Sequence, residues 1–210
     1  MGMLELRYLP VGMGATNCYL VMNKDTRELV IIDPGDDPAK IKQAVSKIEG
    51  KPVAILLTHG HYDHMMASNQ VKKEYHIPIY APGAEREVLA DSAKNLSGGW
   101  MMKPYHVQTD YWAEDGEVLH LAGFEIRMIL TPGHTEGSCC YYIEEEHVVF
   151  CGDTIFLESC GRTDLPTGDM SQIRKSIHTI LDMVPDETEL YPGHGEATTA
   201  AHEKAFNPFV

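Results

Sequence analysis

His59, His61, Asp63 and His64 fall in one run, Thr58-His59-Gly60-His61-Tyr62-Asp63-His64, directly after the apolar stretch Val53-Ala54-Ile55-Leu56-Leu57. Imidazole and carboxylate are the ligands of choice for borderline divalent cations. The apolar stretch has the length and β-branched content of a buried strand, so these four side chains gather at a strand's carboxyl end. The register of the run aims His59 and His61 into one site and Asp63 and His64 into an adjacent one, which suits two metals better than one.

Three later residues repeat the pattern of apolar run, turn residue and ligand. His134 follows Ile126-Arg127-Met128-Ile129-Leu130 in the segment Thr131-Pro132-Gly133-His134-Thr135. Asp153 follows His147-Val148-Val149-Phe150 in Cys151-Gly152-Asp153-Thr154, and His194 follows Glu189-Leu190-Tyr191 in Tyr191-Pro192-Gly193-His194-Gly195. Taken singly, each reads as a hydrogen-bonded loop histidine or a turn-forming aspartate. Four strand ends presenting metal-binding side chains to one edge of a sheet scaffold make a site instead.

The ordered set His-x-His-x-Asp-His, His134, Asp153 and His194 resembles the metallo-β-lactamase superfamily, from Ile32-Asp33-Pro34-Gly35 to the C-terminal Pro-Gly-His-Gly. Within it the chain looks most like the short, single-domain bacterial relatives of glyoxalase II (hydroxyacylglutathione hydrolase). Pro132-Gly133-His134-Thr135, Gly161-Arg162-Thr163-Asp164 and, more weakly, Asn207-Pro208-Phe209 carry that closer likeness. The resemblance implies an α/β fold, the four-layer αββα sandwich, with residues 1–210 as one domain and without the C-terminal helical domain of full-length glyoxalase II. It also implies a ligand set: one metal on His59, His61 and His134, a second on Asp63, His64 and His194, and Asp153 bridging them. Zinc is the first expectation by ligand softness, and such a site also accepts iron or manganese.

Two dications bridged by Asp153 would share a water whose pKa falls to about 7, giving a metal-bridging hydroxide near neutral pH without a catalytic serine or cysteine. The same ions would polarise a carbonyl and stabilise a tetrahedral oxyanion. A thioester suits this chemistry because a thiolate leaves without strong acid assistance. The implied reaction is glyoxalase II-like hydrolysis of a small-acyl thioester such as S-lactoylglutathione, with Asp63 and Asp153 as the catalytic carboxylates. Arg162 matches the family's basic glutathione contact and is the expected substrate anchor, the alternative being a loop arginine tied to Asp164. Glu196 and Asp164 stand where glyoxalase II has aromatic residues, so the glutathione grip is reduced. An alternative of another reaction class also resembles the chain: persulfide dioxygenases share the histidine motif and Gly161-Arg162-Thr163-Asp164, with one iron carried over to His59, His134 and Asp153. A β-lactamase is the weaker reading. Asp153 stands where zinc β-lactamases commonly use cysteine, and residues 1–25 show no export signal.

The composition narrows partners and compartment. A formal charge of −14 over 210 residues, with no basic cluster, repels nucleic-acid phosphates. No run reaches the length of a membrane span, so a cytoplasmic enzyme acting on a small molecule is expected. Five cysteines, without a Cys-x-x-Cys, argue for thiols; Cys18, Cys139 and Cys151 lie in strand-like runs and are expected to be buried.

The elements that must position the site follow from periodicity. Strands are expected at Leu4 to Tyr8, Cys18 to Met22 and Leu29 to Ile32, opening an antiparallel sheet, then a helix from Pro38 with Ile41, Val45 and Ile48 on its apolar face. A second helix should begin near Asp63 and a third span Ala84 to Asp91, before an irregular stretch from Ser92 to Tyr105 in which Ser97-Gly98-Gly99 argues for a loop. Two hairpins, Val118 to Leu130 and Cys139 to Cys151, begin the second half-sheet, and a helix near Ser171 to Met183 covers it. Among the other histidines, only His106 is expected near the site, on a rim from Trp100 to Val107. Met65-Met66 departs from the small residues usual after this motif; it is read as helix packing near the metals, or as a bulkier pocket floor.

Overall fold

A computed structural model describes residues 3–100 and 104–210. Chain order gives strands β1 (Leu4–Val11), β2 (Thr16–Asn23) and β3 (Glu28–Ile32), helix α1 (Pro38–Lys47), strand β4 (Lys51–Leu56), and helices α2 (Tyr62–Met65) and α3 (Ser68–Tyr75). Strand β5 (Ile79–Pro82), helices α4 (Arg86–Ala90) and α5 (Ser97–Trp100), and strand β6 (Tyr111–Ala113) complete the first half. The second half holds β7 (Val118–Leu121), β8 (Phe124–Leu130), β9 (Cys139–Ile143), β10 (Val148–Gly152) and a small hairpin of β11 (Ile155–Phe156) and β12 (Ser159–Cys160). Helix α6 (Met170–Met183), strands β13 (Glu189–Pro192) and β14 (Thr198–Thr199), and helix α7 (Ala200–Phe206) end it.

Strands β1 to β6 form one sheet in chain order, antiparallel through β3 and parallel from β3 to β6. The second sheet runs β14-β13-β10-β9-β8-β7, with β10 and β13 parallel. Alternation of side chains along each central strand builds the layers. In β2, Tyr19 and Val21 face the second sheet while Cys18, Leu20 and Met22 face α1 and α3; in β9, Tyr141 and Ile143 face inward while Cys140 and Tyr142 meet α6. The result is three apolar seams between four layers, helices outside two sheets, as the αββα expectation required. The cysteines are all free thiols, buried except for the half-buried Cys160.

The helix expected to begin near Asp63 is α2; it stops after one turn, because the amides of Met66 and Ala67 donate to the carbonyls of Gly35 and Pro34 at 3.0 and 2.9 Å, and a new helix starts at Ser68. Gly35 permits that contact: a Cβ there would lie 1.7 Å from the Asp63 carbonyl oxygen. Ser97-Gly98-Gly99, expected as loop, begins the short α5, since Asn95 Oδ1 accepts from the Ser97 amide at 2.9 Å and Ser92 O from Gly98 at 2.9 Å. Residues 101–103 of the expected irregular stretch lie outside the described residues. Among the described residues no helix is long and apolar enough to cross a membrane.

Candidate metal centre

Loops following β4, β8, β10 and β13 bring the seven predicted residues to one edge of the sandwich. His59 and His61 lie in the turn after β4, Asp63 and His64 on α2, His134 after β8, Asp153 after β10 and His194 after β13. His59, His61 and His134 form one cluster and Asp63, His64 and His194 a second, each with its ligand atoms within 4.8 Å of one another. Asp153 stands between them: its Oδ2 is 3.5 Å from His134 Nε2 and 3.7 Å from His194 Nε2, and its Oδ1 is 3.3 Å from His64 Nε2. The first cluster is buried, whereas Asp63 and His194 are partly exposed, so the site opens to solvent on their side.

Hydrogen bonds behind the rings decide which nitrogen faces inward. His134 Nδ1 lies 2.8 Å from the Arg162 carbonyl and His194 Nδ1 3.1 Å from the Gly14 carbonyl; a carbonyl only accepts, so both Nδ1 atoms carry the proton. His64 Nδ1 donates to Asp33 Oδ2 at 2.9 Å. Thr58 Oγ1 donates to the same carboxylate at 2.6 Å and can then only accept from His59 Nδ1, 3.1 Å away. Four imidazoles thus turn Nε2 inward. His61 turns Nδ1 inward, 2.8 Å from His134 Nε2, while His64 and His194 bring their Nε2 atoms to 3.3 Å. Converging ring nitrogens, with the buried His59 Nε2 and Asp153 Oδ1 making no hydrogen bond, are what a pair of cations would satisfy.

Protonation follows the same division. Burial holds His59 well below the usual imidazole range, aided by the neighbouring histidines, and lowers His61 to about 3. Burial also works against a charge on His64, but Asp153, Asp63 and Asp33 outweigh it and raise the ring well above its ordinary value. His194 is raised too, since the hydrogen bond to Asp63 and the charge of Asp153 overcome its burial. Asp63, against its own burial, is held at about 2 by His64 and His194.

Several supporting residues had no role assigned to them from the sequence. Asp33 is fully engaged, its Oδ1 accepting from the Thr58 amide at 2.8 Å while its Oδ2 orients two rings. Buried Glu85 joins the two ligand loops: Oε2 accepts from the Gly60 amide at 2.7 Å, and Oε1 from Gly137 N at 2.8 Å and Thr135 Oγ1 at 2.6 Å. Burial pushes Glu85 up to about 7 against the pull of those bonds. Asn207, in the terminal segment of the weaker resemblance, donates to Ser159 O at 3.0 Å and to buried Glu203 at 2.7 Å, and Glu203 also accepts from the Glu158 amide. This braces the β11–β12 hairpin, whose Phe156 meets the His194 ring edge-on at 6.2 Å.

A cleft of about 470 Å³ opens over the clusters, walled by Leu96, Phe156, Cys160, Arg162 and Leu165. His106 is not on its rim and lies instead in a shallow depression with Glu87, Asp91 and Lys94. Cys160 has its thiol pushed up by burial, so it offers no thiolate nucleophile near neutral pH. Arg162 reaches the cleft, but its guanidinium is held bidentately by Asp164 at 2.7 and 2.8 Å.

Residues 11–194 match the family model for the metallo-beta-lactamase superfamily. The chain belongs to that superfamily. Among curated members it is 35% identical over 210 residues to the probable metallo-hydrolase YqgX of Bacillus subtilis, covering 99% of this chain and 98% of the relative. It is 32% identical over 209 residues to the hydroxyacylglutathione hydrolase GloC of Haemophilus influenzae, with 99% and 98% covered. Solved superfamily structures include BLEG-1 B3 metallo-beta-lactamase, with a TM-score of 0.91 at 38% identity over 98% of this chain and 99% of that one. TTHA1623 in a di-iron-bound form has a TM-score of 0.86 at 32% identity, over 97% and 100%. ETHE1 from Myxococcus xanthus follows at 0.80 and 26%, over 97% and 83%.

Proposed function

We propose that this protein is a dinuclear metallo-hydrolase that cleaves a small-acyl thioester of the S-lactoylglutathione type. His59, His61 and His134 hold one ion, Asp63, His64 and His194 the other, and Asp153 both. The observation that carries this reading is the inward convergence of imidazole nitrogens on either side of the Asp153 carboxylate. Full-length similarity to a hydroxyacylglutathione hydrolase supports the substrate class. When bound, two divalent cations supply Lewis acidity and lower the pKa of water to about 7. Water's oxygen joins the acyl carbon, the carbon–sulfur bond breaks, and the products are a carboxylic acid and a thiol.

The chain's own residues set the limits of that chemistry. Asp63 faces the cleft with a carboxyl held at about 2, so near neutral pH its Oδ2 accepts a proton or orients water rather than donating. Asp153 is likewise held well below the carboxylate range, its burial outweighed by His64. Neither carboxyl can protonate a poor leaving group at neutral pH. A thiolate needs no such help; the amine released from a β-lactam does. A second reading, a mononuclear iron persulfide dioxygenase, is favoured by the closeness of His59, His134 and Asp153, two imidazoles and a carboxylate.

Metal titration tests the two-site arrangement. Saturation is expected at two ions per chain, falling to one in His194→Ala, as read by elemental analysis. Because His64 is raised well above its ordinary value in the metal-free protein, and His194 is raised in the same direction, an ion entering with Asp63 is expected to displace about one proton near neutral pH. The ion on His59 and His61 displaces none from those two rings, which are already neutral. Affinity on the Asp63 side therefore weakens first as pH falls. Calorimetry in buffers of different ionisation heat reads the proton count; equal release in both steps would count against the assignment.

Arg162 is assigned to substrate anchoring within a pair already compensated by Asp164. Asp164→Ala is expected to lower KM for an anionic thioester and Arg162→Ala to raise it, each by about two- to fivefold with kcat little changed, the range of an exposed ion pair. Unaltered KM in both variants would leave the pair a loop contact only.

A further inference from the structure

A second hollow of about 370 Å³ adjoins the metal centre, and Arg162 is not among its walls. It shares Tyr62 and Asp63 with the main cleft, and its walls include Val11, Met13 and Met66. Gly14 stands at the junction: a Cβ there would lie 3.3 Å from Asp63 Oδ2 and 3.7 Å from His194 Cε1, so the bare glycine keeps the passage open. Met13 sits fully exposed at the β1–β2 turn, an unbranched side chain free to fold over the opening, and Met66 extends beyond the ligand helix α2. The charged residues lining the hollow are Asp36 and Asp63, with no cation among them.

We infer that this hollow is the acyl subsite, and that it extends the small acyl groups cleaved to uncharged, unbranched chains several carbons long, with acetyl the weakest fit. The inference deepens the thioester reading and rests on it. An anionic carrier would meet the Asp36 carboxylate here, whereas the main cleft is lined by Arg162, so the carrier lies toward Arg162 and the acyl chain toward Met66. Full burial of a methylene is worth about fourfold in affinity, and a hollow open on one side gives about twofold. Hexanoyl is therefore preferred to acetyl by about tenfold or more.

The test uses the zinc-loaded protein in two independent assays. The first compares kcat/KM for acetyl, butyryl and hexanoyl thioesters of one uncharged thiol; the second measures binding of acetate, butyrate and hexanoate by calorimetry, which needs no turnover. Both are expected to improve with chain length, and Met13→Ser combined with Met66→Ser to flatten the trend while sparing the acetyl substrate. Met13→Ser alone, at a fully exposed position, guards against a folding defect in the pair. Flat profiles in both wild-type assays, or a trend unchanged in the double variant, overturn the subsite. Carboxylate binding that grows with chain length, without hydrolysis of any thioester, keeps the subsite and overturns the thioester reading instead.

Discussion

Asp153→Ala is expected to lose both metal ions and on the order of a thousandfold or more of turnover, the largest effect of any single substitution in the site. Its carboxylate lies within 3.7 Å of one imidazole from the first cluster and two from the second, so it reaches both. Its negative charge also offsets the mutual repulsion of two dications. Asp153→Asn keeps the shape and one acceptor oxygen but not the charge, so it should retain more metal than the alanine variant while staying nearly inactive. Elemental analysis after dialysis, alongside thiol release, reads both. Wild-type metal content and activity in Asp153→Ala would remove Asp153 from the bridging position and with it the two-ion model.

How far this site could be read in the sequence depends on the range of the interactions involved. His59 through His64 were legible because one strand end and one helical turn place them, and their types alone announce the chemistry. His134, Asp153 and His194 were legible as repeats of one pattern, since each follows a buried strand of the same sandwich. The layers were expected from the family resemblance, and alternation along β2 and β9 is how the folded chain builds them. The roles of Asp33, Glu85 and Asn207 were not legible: Asp33 and Asn207 lie in segments that carry the resemblance, but nothing local shows what any of the three binds. Asp33 acts on Thr58 and His64, Glu85 on Gly60 and Gly137, and Asn207 on Ser159, all contacts that exist only once the chain has folded. The short β5 and β6 escaped for a related reason: at four and three residues they show too little periodicity, and their place is set by pairing, β5 with β4 and β6 with β5. His106 was expected on the rim by sequence nearness to the loop, yet the amide of Asn69 binds its carbonyl at 2.8 Å and the residue borders a different depression.

Reaction class should separate cleanly in a paired assay on zinc-loaded and iron-loaded protein. Thiol release from S-lactoylglutathione or a related small-acyl thioester is expected in the zinc form without oxygen uptake. The chemical reason lies in the leaving group. Both cleft carboxyls are held ionised at neutral pH, and the half-buried Cys160 keeps its proton, so the site favours a bond whose cleavage expels a stable anion. A β-lactam, included because BLEG-1 bears the name of a B3 metallo-beta-lactamase, expels an amine and should turn over at least about a hundredfold more slowly than the thioester, the usual worth of one missing general acid. Efficiency toward the glutathione thioester itself is expected to be modest, because Asp164 already occupies the guanidinium of Arg162. Oxygen uptake on glutathione persulfide confined to the iron form, with no thioester cleaved in either, would transfer His59, His134 and Asp153 to a mononuclear iron site and make the dioxygenase the better reading. Faster cleavage of the lactam than of any thioester would show instead that a proton reaches the leaving nitrogen by a route other than Asp63 or Asp153.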